Sequence, residues 1–210
     1  MSPSVNNRQP GIYLASQSPR RRELLTQIGV EFETLLLRSA PGRSVDVDET
    51  PLPDETPEHY VRRVSEAKAI MGNTVLKLRK LPPRPVLAAD TAVTLEGRIF
   101  GKPVNAEDAV AMLRQLSGRA HRVYSAVAVA EGSRVELAVS VSTVRFAELD
   151  RQRIEHYLAT NEYADKAGSY AIQGYAAAFI EHLAGSYSGV MGLPLFETAR
   201  LLRDFGFATP

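Results

Sequence analysis

The chain has 210 residues, enough for one large α/β domain or for two lobes around a substantial core. Its 25 basic and 24 acidic residues nearly balance, which argues against specific nucleic-acid binding and against a membrane-surface protein, because both usually carry a basic excess. The chain contains no cysteine, which excludes disulfides and thiolate chemistry and favours a cytoplasmic protein, and it has no apolar run long enough to cross a bilayer. Residues 1–10 are polar, so we predict a disordered lead-in before a single domain over residues 11–210.

The first informative stretch predicts a strand, a tight loop and a helix. Residues 12–14 are apolar, Ser18 is a suitable helix cap before a proline, and Gly29 ends the helix. The first helical turn carries three arginines, at residues 20–22, although the helix dipole already makes that end positive. A solvated basic turn remains possible, but the neighbouring serines and the preceding strand favour a polyphosphate site.

A second strand is predicted over residues 30–37, followed by a long polar loop over residues 38–57. The loop contains Asp46, Asp48 and Glu49. Acidic loops are usually only solvated, but carboxylates facing an arginine cluster are also what a magnesium–phosphate site requires. The sequence leaves both interpretations open.

The next helix begins after Thr56, and Lys68 lies at the edge of its apolar stripe. Lys68 either extends past the apolar surface to solvent or contacts phosphate. The helix ends before the proline-rich residues 81–85.

Residues 86–91 form a short apolar run, typical of a strand buried on both faces, that ends in Asp90 and Thr91. Ligands commonly bind outside the carboxyl ends of such strands, so Asp90 is a candidate base or metal ligand, although an aspartate that caps the next turn is also common. A hairpin over residues 93–100 follows, and Lys102 then supplies a further positive charge.

The second half of the chain alternates helices and strands. We predict helices that begin after Asn105 and Asp150, antiparallel strands over 123–129 and 135–141, a strand over 176–180, and a loop over 185–194 that leads into the last helix. The apolar phase reverses near residues 142–143, which predicts a bulge. Gln173 lies in a glycine-rich segment. Its amide either hydrogen-bonds to the edge of a base, or the segment is only a turn between a helix and a strand. The fold class is therefore α/β, with a long, curved, mixed sheet flanked by helices.

Five ordered motifs together resemble the Maf family of nucleoside triphosphate pyrophosphatases. They are Leu-Ala-Ser-x-Ser-Pro-Arg-Arg at 14–21, Ala-Asp-Thr at 89–91, Gly-Lys-Pro at 101–103, Asp-Lys-Ala-Gly-x-Tyr-x-Ile-Gln-Gly at 165–174 and Gly-Ser-Tyr-x-x-Val-x-Gly-Leu-Pro at 185–194. The fourth motif resembles the subgroup that acts on dTTP and UTP. The resemblance implies a fold similar to inosine triphosphatase, with two lobes and a central cleft, and a homodimer.

The resemblance also implies roles for particular residues. Asp90 matches the proton acceptor, and the positions linked to substrate choice are Arg20, Thr91 and Gln173. The phosphate-side positions are Ser16, Arg20, Arg21, Lys68 and Lys102. Asp90 and Glu49 match the carboxylates near a divalent cation, which would be Mg, Mn or Co.

The activity implied is metal-dependent hydrolysis of dTTP and UTP, and of modified pyrimidine nucleotides such as 5-methyl-UTP and pseudo-UTP, to the monophosphate and pyrophosphate. The family is also tied to arrest of septum formation and cell division. Two alternatives therefore stay open: a nucleotide-binding regulator of septum formation without significant catalysis, and an enzyme that mainly clears modified nucleotides.

Overall fold

A computed structural model of the protein describes residues 11–38 and 46–210. The lead-in predicted over residues 1–10 and residues 39–45 of the predicted polar loop lie outside the described residues. None of the helices in the described part of the chain is both long and apolar enough to cross a membrane.

Seven strands form one sheet in the described residues: β1 Ile12–Leu14, β2 Phe32–Thr34, β3 Val86–Leu95, β4 Arg98–Phe100, β5 Ala120–Glu131, β6 Arg134–Phe146 and β7 Ile180–Ala184. Their order in the sheet is β2-β1-β3-β5-β6-β7, with β4 beside β3. Strand β1 pairs in parallel with β2 and β3, and every other pairing is antiparallel. The prediction of a mixed sheet in an α/β fold is confirmed.

The helices in the described residues are α1 Pro19–Gln27, α2 Pro57–Leu78, α3 Ala106–Leu116, α4 Arg151–Leu158, α5 Tyr187–Met191 and α6 Leu195–Asp204. Helices α1 to α4 begin where the capping residues predict, whereas α5 was not predicted and lies within the loop expected over residues 185–194. Thr56, Asn105 and Asp150 each accept a hydrogen bond from a backbone N–H in the first turn of α2, α3 and α4. Ser18 precedes α1 as predicted, but its side chain makes no capping bond within the described part of the chain.

Apolar clusters cover the sheet on both faces. Leu24 and Leu25 of α1 and Leu201 and Leu202 of α6 pack with Leu87 on one face. The other face meets α2, while α3 and α4 pack around Phe146 toward the far end of the long strands. Leu87 is fully buried, so its replacement by alanine should cost about 2–5 kcal/mol of stability.

Asp90 lies in the middle of a strand, and the prediction that the strand ends there is wrong. Strand β3 continues to Leu95, and its pairing with β5 is unbroken from Val86 opposite Ala130 to Thr94 opposite Arg122. Because β5 satisfies the backbone groups on both sides of Asp90, two adjacent polar side chains do not interrupt the strand.

The bulge predicted near residues 142–143 is also wrong. Strands β5 and β6 pair one to one from Ala120 opposite Arg145 to Glu131 opposite Arg134. The even residues of β6 from Ala138 to Phe146 are buried throughout. The odd residues at the start of β6 are also apolar because they lie beneath α2. The change in the apolar alternation along β6 therefore reflects which part of the strand the helix covers, and the pairing of β6 with β5 does not shift.

Two predicted strands are shorter or displaced. The strand expected over 30–37 is limited to Phe32–Thr34, because the neighbour it pairs with, β1, is itself three residues long. Residues 175–179 form a 3₁₀ turn instead of a strand, since the Glu162 carboxylate accepts hydrogen bonds from the backbone N–H groups of Tyr175 and Ala176. Strand β7 begins only at Ile180.

Candidate active site

A cleft of about 900 Å³ opens beside β3 and is bordered by α1, α2 and the segments around residues 101, 166 and 191. Every residue to which the family resemblance assigns a role lines this cleft. They are Ser16, Arg20, Arg21, Glu49, Lys68, Asp90, Thr91, Lys102 and Gln173. Residues far apart in the sequence thus meet in one cavity, as a shared active site requires.

The arginines at the start of α1 have different environments. The Arg21 guanidinium donates to the carbonyl oxygens of Gly192 at 2.8 Å and Ala89 at 2.6 Å, and to Ser16 Oγ at 3.4 Å. Burial lowers the pKa of Arg21, and the Asp90 carboxylate partly offsets this. Arg21 therefore ties α1 to β3 and to the segment after α5. Arg22 donates to the Gln17 carbonyl at 3.0 Å and does not line the cleft.

Three further cations face the cleft without an ion-pair partner among the described residues: Arg20, Lys102 and Lys166. Burial lowers the pKa of Arg20 and of Lys166, and the Arg20 charge lowers that of Lys166 further. Lys166 Nζ donates to the Ala164 carbonyl at 3.0 Å. The Asp165 carboxylate partly offsets both shifts, but cations that lack a direct ion pair in the described residues favour an anionic ligand.

The carboxylates meet at Lys68. Its Nζ atom lies 2.9 Å from Asp90 Oδ1 and 2.9 Å from Glu49 Oε2. Asp90 is only 6% exposed, and burial raises the pKa of its carboxyl, while the charges of Lys68 and Arg21 oppose the rise. Lys68 is therefore not a lysine that extends to solvent, since its ammonium holds two carboxylates together.

Helix α2 also holds the acidic segment in place. The Tyr60 hydroxyl donates to the Glu49 carbonyl at 3.0 Å. One turn later, Arg63 pairs with both oxygens of Glu55, at 2.7 and 2.8 Å, and donates to the carbonyl of Thr50. The hydrogen bonds from Arg63 lower the pKa of Glu55 to about 2. Glu49 reaches Lys68 because this segment is fixed on either side of it.

Thr91 belongs to a chain of hydroxyl groups on the opposite side of β3. Its Oγ1 lies 2.9 Å from Ser125 Oγ, and Ser125 Oγ donates to the Gly189 carbonyl at 2.6 Å. Ser125 is buried directly opposite Thr91 on β5. The chain joins the cleft to the segment that contains α5.

Gln173 is exposed at the rim of the cleft, and residues that precede it in the chain are packed against the sheet. Tyr170 is buried, and its hydroxyl lies 2.9 Å from His121 Nε2. Gly168 has a φ of +66°, and a Cβ there would come within 2.8 Å of Val93 Cγ1. The segment that carries Gln173 therefore packs closely against β3.

A divalent cation fits the donor set, although no cluster of three or more acidic, histidine or cysteine side chains is found among the described residues. Asp90 and Glu49 already converge on one cation, the Lys68 ammonium. Magnesium is usually held by one or two protein carboxylates together with substrate phosphates and water, so a pair is sufficient.

Sequence reasoning missed two residues of interest, Lys166 and Ser125. Lys166 stood within the Asp-Lys-Ala-Gly motif, so its charge was a usable signal. Ser125 lies in a strand where valines alternate with small residues, and no sequence signal marks it.

Comparisons with known proteins agree with this geometry. The Maf-like protein family matches residues 11–205. A protein of Aromatoleum aromaticum named dTTP/UTP pyrophosphatase is 58% identical over 200 residues, which are 95% of this chain and 97% of that protein. A protein of Nitrosospira multiformis with the same name is 58% identical over 200 residues, 95% of each chain. The solved Ham1 protein of Staphylococcus aureus aligns with 65% of this chain and 72% of its own, at a TM-score of 0.42 and 16% identity, too distant to carry an argument. The family match and these relatives show that the chain belongs to the Maf family.

Proposed function

We propose that the protein is a nucleoside triphosphate pyrophosphatase that hydrolyses dTTP and UTP to the monophosphate and pyrophosphate. One observation carries the proposal: a buried carboxylate, Asp90, shares a cleft with Arg20, Lys102 and Lys166, which form no ion pair with any residue that the structure describes. The cations suit a triphosphate, and the carboxylate suits a general base. Two relatives above 50% identity carry the name dTTP/UTP pyrophosphatase, which supports the choice of substrate.

In the proposed reaction, Asp90 takes a proton from a water molecule as the water oxygen bonds to the α-phosphorus. The bond from that phosphorus to the bridging oxygen breaks, and pyrophosphate leaves with the electron pair. Burial raises the pKa of Asp90, which brings a carboxylate closer to the pH at which a general base is most effective. Lys68 holds the Asp90 carboxylate in one orientation.

Asp90 and Glu49 would hold the divalent cation, Mg, Mn or Co. When bound, the cation supplies charge neutralisation at the phosphate oxygens. Ser16, Arg21 and Lys68 complete the proposed phosphate side of the cleft, together with Arg20, Lys102 and Lys166.

Arg20, Thr91 and Gln173 are the residues proposed to select the substrate. Gln173 lines the cleft and is exposed there, and an amide offers a donor and an acceptor side by side, as base reading requires. Modified pyrimidines such as 5-methyl-UTP and pseudo-UTP belong to the proposed substrate range. Such an enzyme would act on the cytoplasmic nucleotide pool, and we expect a homodimer.

Pyrophosphate release from a panel of nucleoside triphosphates, with and without magnesium, tests the proposal. The wild-type protein should act on UTP and dTTP, and Asp90→Asn should lose about two to four orders of magnitude in kcat while it still binds UTP. Tight binding without release by the wild type would instead favour a regulator of septum formation. A normal rate for Asp90→Asn would exclude Asp90 as the base.

A further inference from the structure

Lys68 compensates two carboxylates through a single atom. Its Nζ lies 2.9 Å from Asp90 Oδ1 and 2.9 Å from Glu49 Oε2. The Lys68 side chain is only 12% exposed, so water screens these contacts little. The ammonium therefore does for this pair of negative charges what a bound metal ion would do.

A divalent cation held by both carboxylates needs the space in which the ammonium lies. Magnesium binds oxygen at about 2.0–2.1 Å, so it must approach the point where the two carboxylates converge. The Lys68 ammonium is already in contact with an oxygen of each carboxylate. Two positive ions so close together in a partly buried site repel each other strongly.

The cleft offers the Lys68 ammonium a second position. Lys68 lines the same cavity as Arg20, Lys102 and Lys166, on the side proposed to bind the phosphates. A lysine has a flexible four-carbon stem, so its ammonium can move while the backbone of α2 stays in place. A phosphate oxygen would then compensate the charge that the carboxylates no longer contact.

We propose that the Lys68 ammonium is an exchangeable stand-in for the divalent cation. Lys68 occupies the carboxylate pair in the protein without metal, and it moves to a substrate phosphate when the cation binds. Asp90 and Glu49 are then held by the cation instead of by Lys68. This inference rests on the proposed function and deepens it, because it makes Lys68 the residue that couples metal binding to nucleotide binding.

The coupling arises because both ligands require the same contacts of Lys68 to break. If the cation binds alone, Lys68 leaves the carboxylates and gains no new partner. If the nucleotide binds alone, Lys68 turns to a phosphate and leaves the carboxylates uncompensated. When both bind, the contacts break only once, so each ligand raises the affinity for the other by the same factor.

Binding of Mn²⁺ without nucleotide, followed by paramagnetic resonance of the free ion, tests the stand-in. Lys68→Met should bind Mn²⁺ at least about tenfold more tightly than the wild type, because nothing then competes for the two carboxylates. Lys68→Arg keeps the positive charge and should not show this gain. Binding of Mn²⁺ in the presence of α,β-imido-UTP, which resists cleavage at the α–β bridge, then measures the coupling, and the coupling factor should be about tenfold smaller in Lys68→Met than in the wild type.

Lys102→Met is the matched control for the loss of charge. Lys102 lines the same cleft but forms no ion pair with Asp90, Glu49 or another residue that the structure describes. Its replacement removes one positive charge without freeing a carboxylate. The affinity for Mn²⁺ alone should therefore change by less than about threefold, as for a charge that acts only at a distance.

Movement of Lys68 is measured in the wild-type protein, which keeps the inference testable if Lys68→Met does not fold. Magnetic resonance of isotope-labelled lysine resolves the Nζ signals, and the signal of Lys68 is the one that Lys68→Arg lacks. Addition of Mg²⁺ with α,β-imido-UTP should shift this signal and give it a hydrogen-bond coupling to phosphorus.

Equal gains in Mn²⁺ affinity for Lys68→Met and Lys102→Met would overturn the inference, because any lost charge would then have the same effect. It would also be overturned if Lys68→Met bound no Mn²⁺, or if the Lys68 signal stayed unchanged, since the ammonium would then remain on the carboxylates. Failure of the proposed function looks different. The wild type would then release no pyrophosphate from UTP, while Mn²⁺ binding without nucleotide would still show whether Lys68 excludes the cation.

Discussion

Lys68 Nζ lies 2.9 Å from Asp90 Oδ1 and so joins the middle of α2 to the middle of β3. The same atom lies 2.9 Å from Glu49 Oε2. One ammonium therefore separates two carboxylates that would otherwise repel each other in a partly buried site. The Lys68 ammonium therefore lies where the two carboxylates proposed to hold a divalent cation converge.

Lys68→Met should destabilise the protein and make its free energy of unfolding depend more strongly on magnesium. Removal of one partner of a buried ion pair typically costs about 3 kcal/mol, because a buried charge is left uncompensated. Magnesium should then recover more stability in Lys68→Met than it adds to the wild type. Denaturant unfolding with and without magnesium measures both effects.

Lys77→Met is the matched control for that experiment, since Lys77 is exposed near the end of the same helix. It should behave as the wild type in both conditions. An equal response of Lys68→Met and the wild type to magnesium would contradict a cation site at the two carboxylates.

Lys166→Met should weaken substrate binding more than it slows turnover. Lys166 faces the cleft near Arg20 and lacks an ion pair among residues 11–38 and 46–210. A hydrogen bond to a charged group contributes about 1.5–3 kcal/mol, so KM for UTP should rise by about tenfold or more. Steady-state kinetics with UTP measure the change.

The dependence of KM on ionic strength is the control for this variant, because it separates the loss of a charge from a structural defect. Loss of a cation should make KM less sensitive to salt, because fewer charge interactions remain to be screened. Inhibition by UMP, which carries fewer negative charges, should change less than KM for UTP. A fall in kcat at constant KM would contradict a binding role for Lys166.

Sequence patterns predicted residues that share one cleft because these residues sit at features that are locally encoded. Ser18 before α1, the Thr56 cap of α2 and the hydrophobic run of β3 fix where Arg21, Lys68 and Asp90 lie along their elements. What the sequence did not encode locally is which side chains pair. Arg21 bonds to Gly192, 171 residues away, and this contact exists only after folding.

The errors in the predicted strands have the same origin. Polar Asp90 suggested a strand end, but pairing with β5 carries the strand through. The odd residues of β6 are apolar because α2 lies over them, and a single strand does not reveal which helix will cover it. Tertiary contacts in both cases override a pattern that is read one element at a time.

His121 should make stability depend on pH between about 6.5 and 4. Burial lowers its pKa from 6.5 to about 4, so the folded state holds the imidazole neutral where the unfolded chain protonates it. The stability that the folded state gains from its neutral imidazole is fully present above pH 6.5 and is lost as the pH falls toward 4. The loss amounts to about 3.5 kcal/mol, since one pKa unit corresponds to about 1.4 kcal/mol.

His121→Gln should therefore have a flatter profile of unfolding free energy over that range than the wild type. His156→Gln replaces an exposed histidine and should keep the wild-type slope. Glu55, with a pKa of about 2, adds its own loss only at lower pH, below about 4.5. Parallel profiles for His121→Gln and the wild type would show that His121 does not cause the slope.

Gly72→Ala tests how closely α2 packs on the strand that carries Asp90. A Cβ at residue 72 would come within 2.5 Å of Val86 Cγ1, and Val86 is fully buried on β3 with a stiff, branched side chain. Alanine gains about 1 kcal/mol in helix propensity over glycine, but overpacking costs about 1–3 kcal/mol. We expect a net loss of about 1 kcal/mol in the free energy of unfolding, measured by urea unfolding.

Val86→Ala should relieve the clash, so the double variant should lose less stability than the two single variants lose together. Thr74→Ala, an exposed change in the same helix, should not be destabilising, and a stabilised Gly72→Ala would mean that α2 moves away from β3 at little cost.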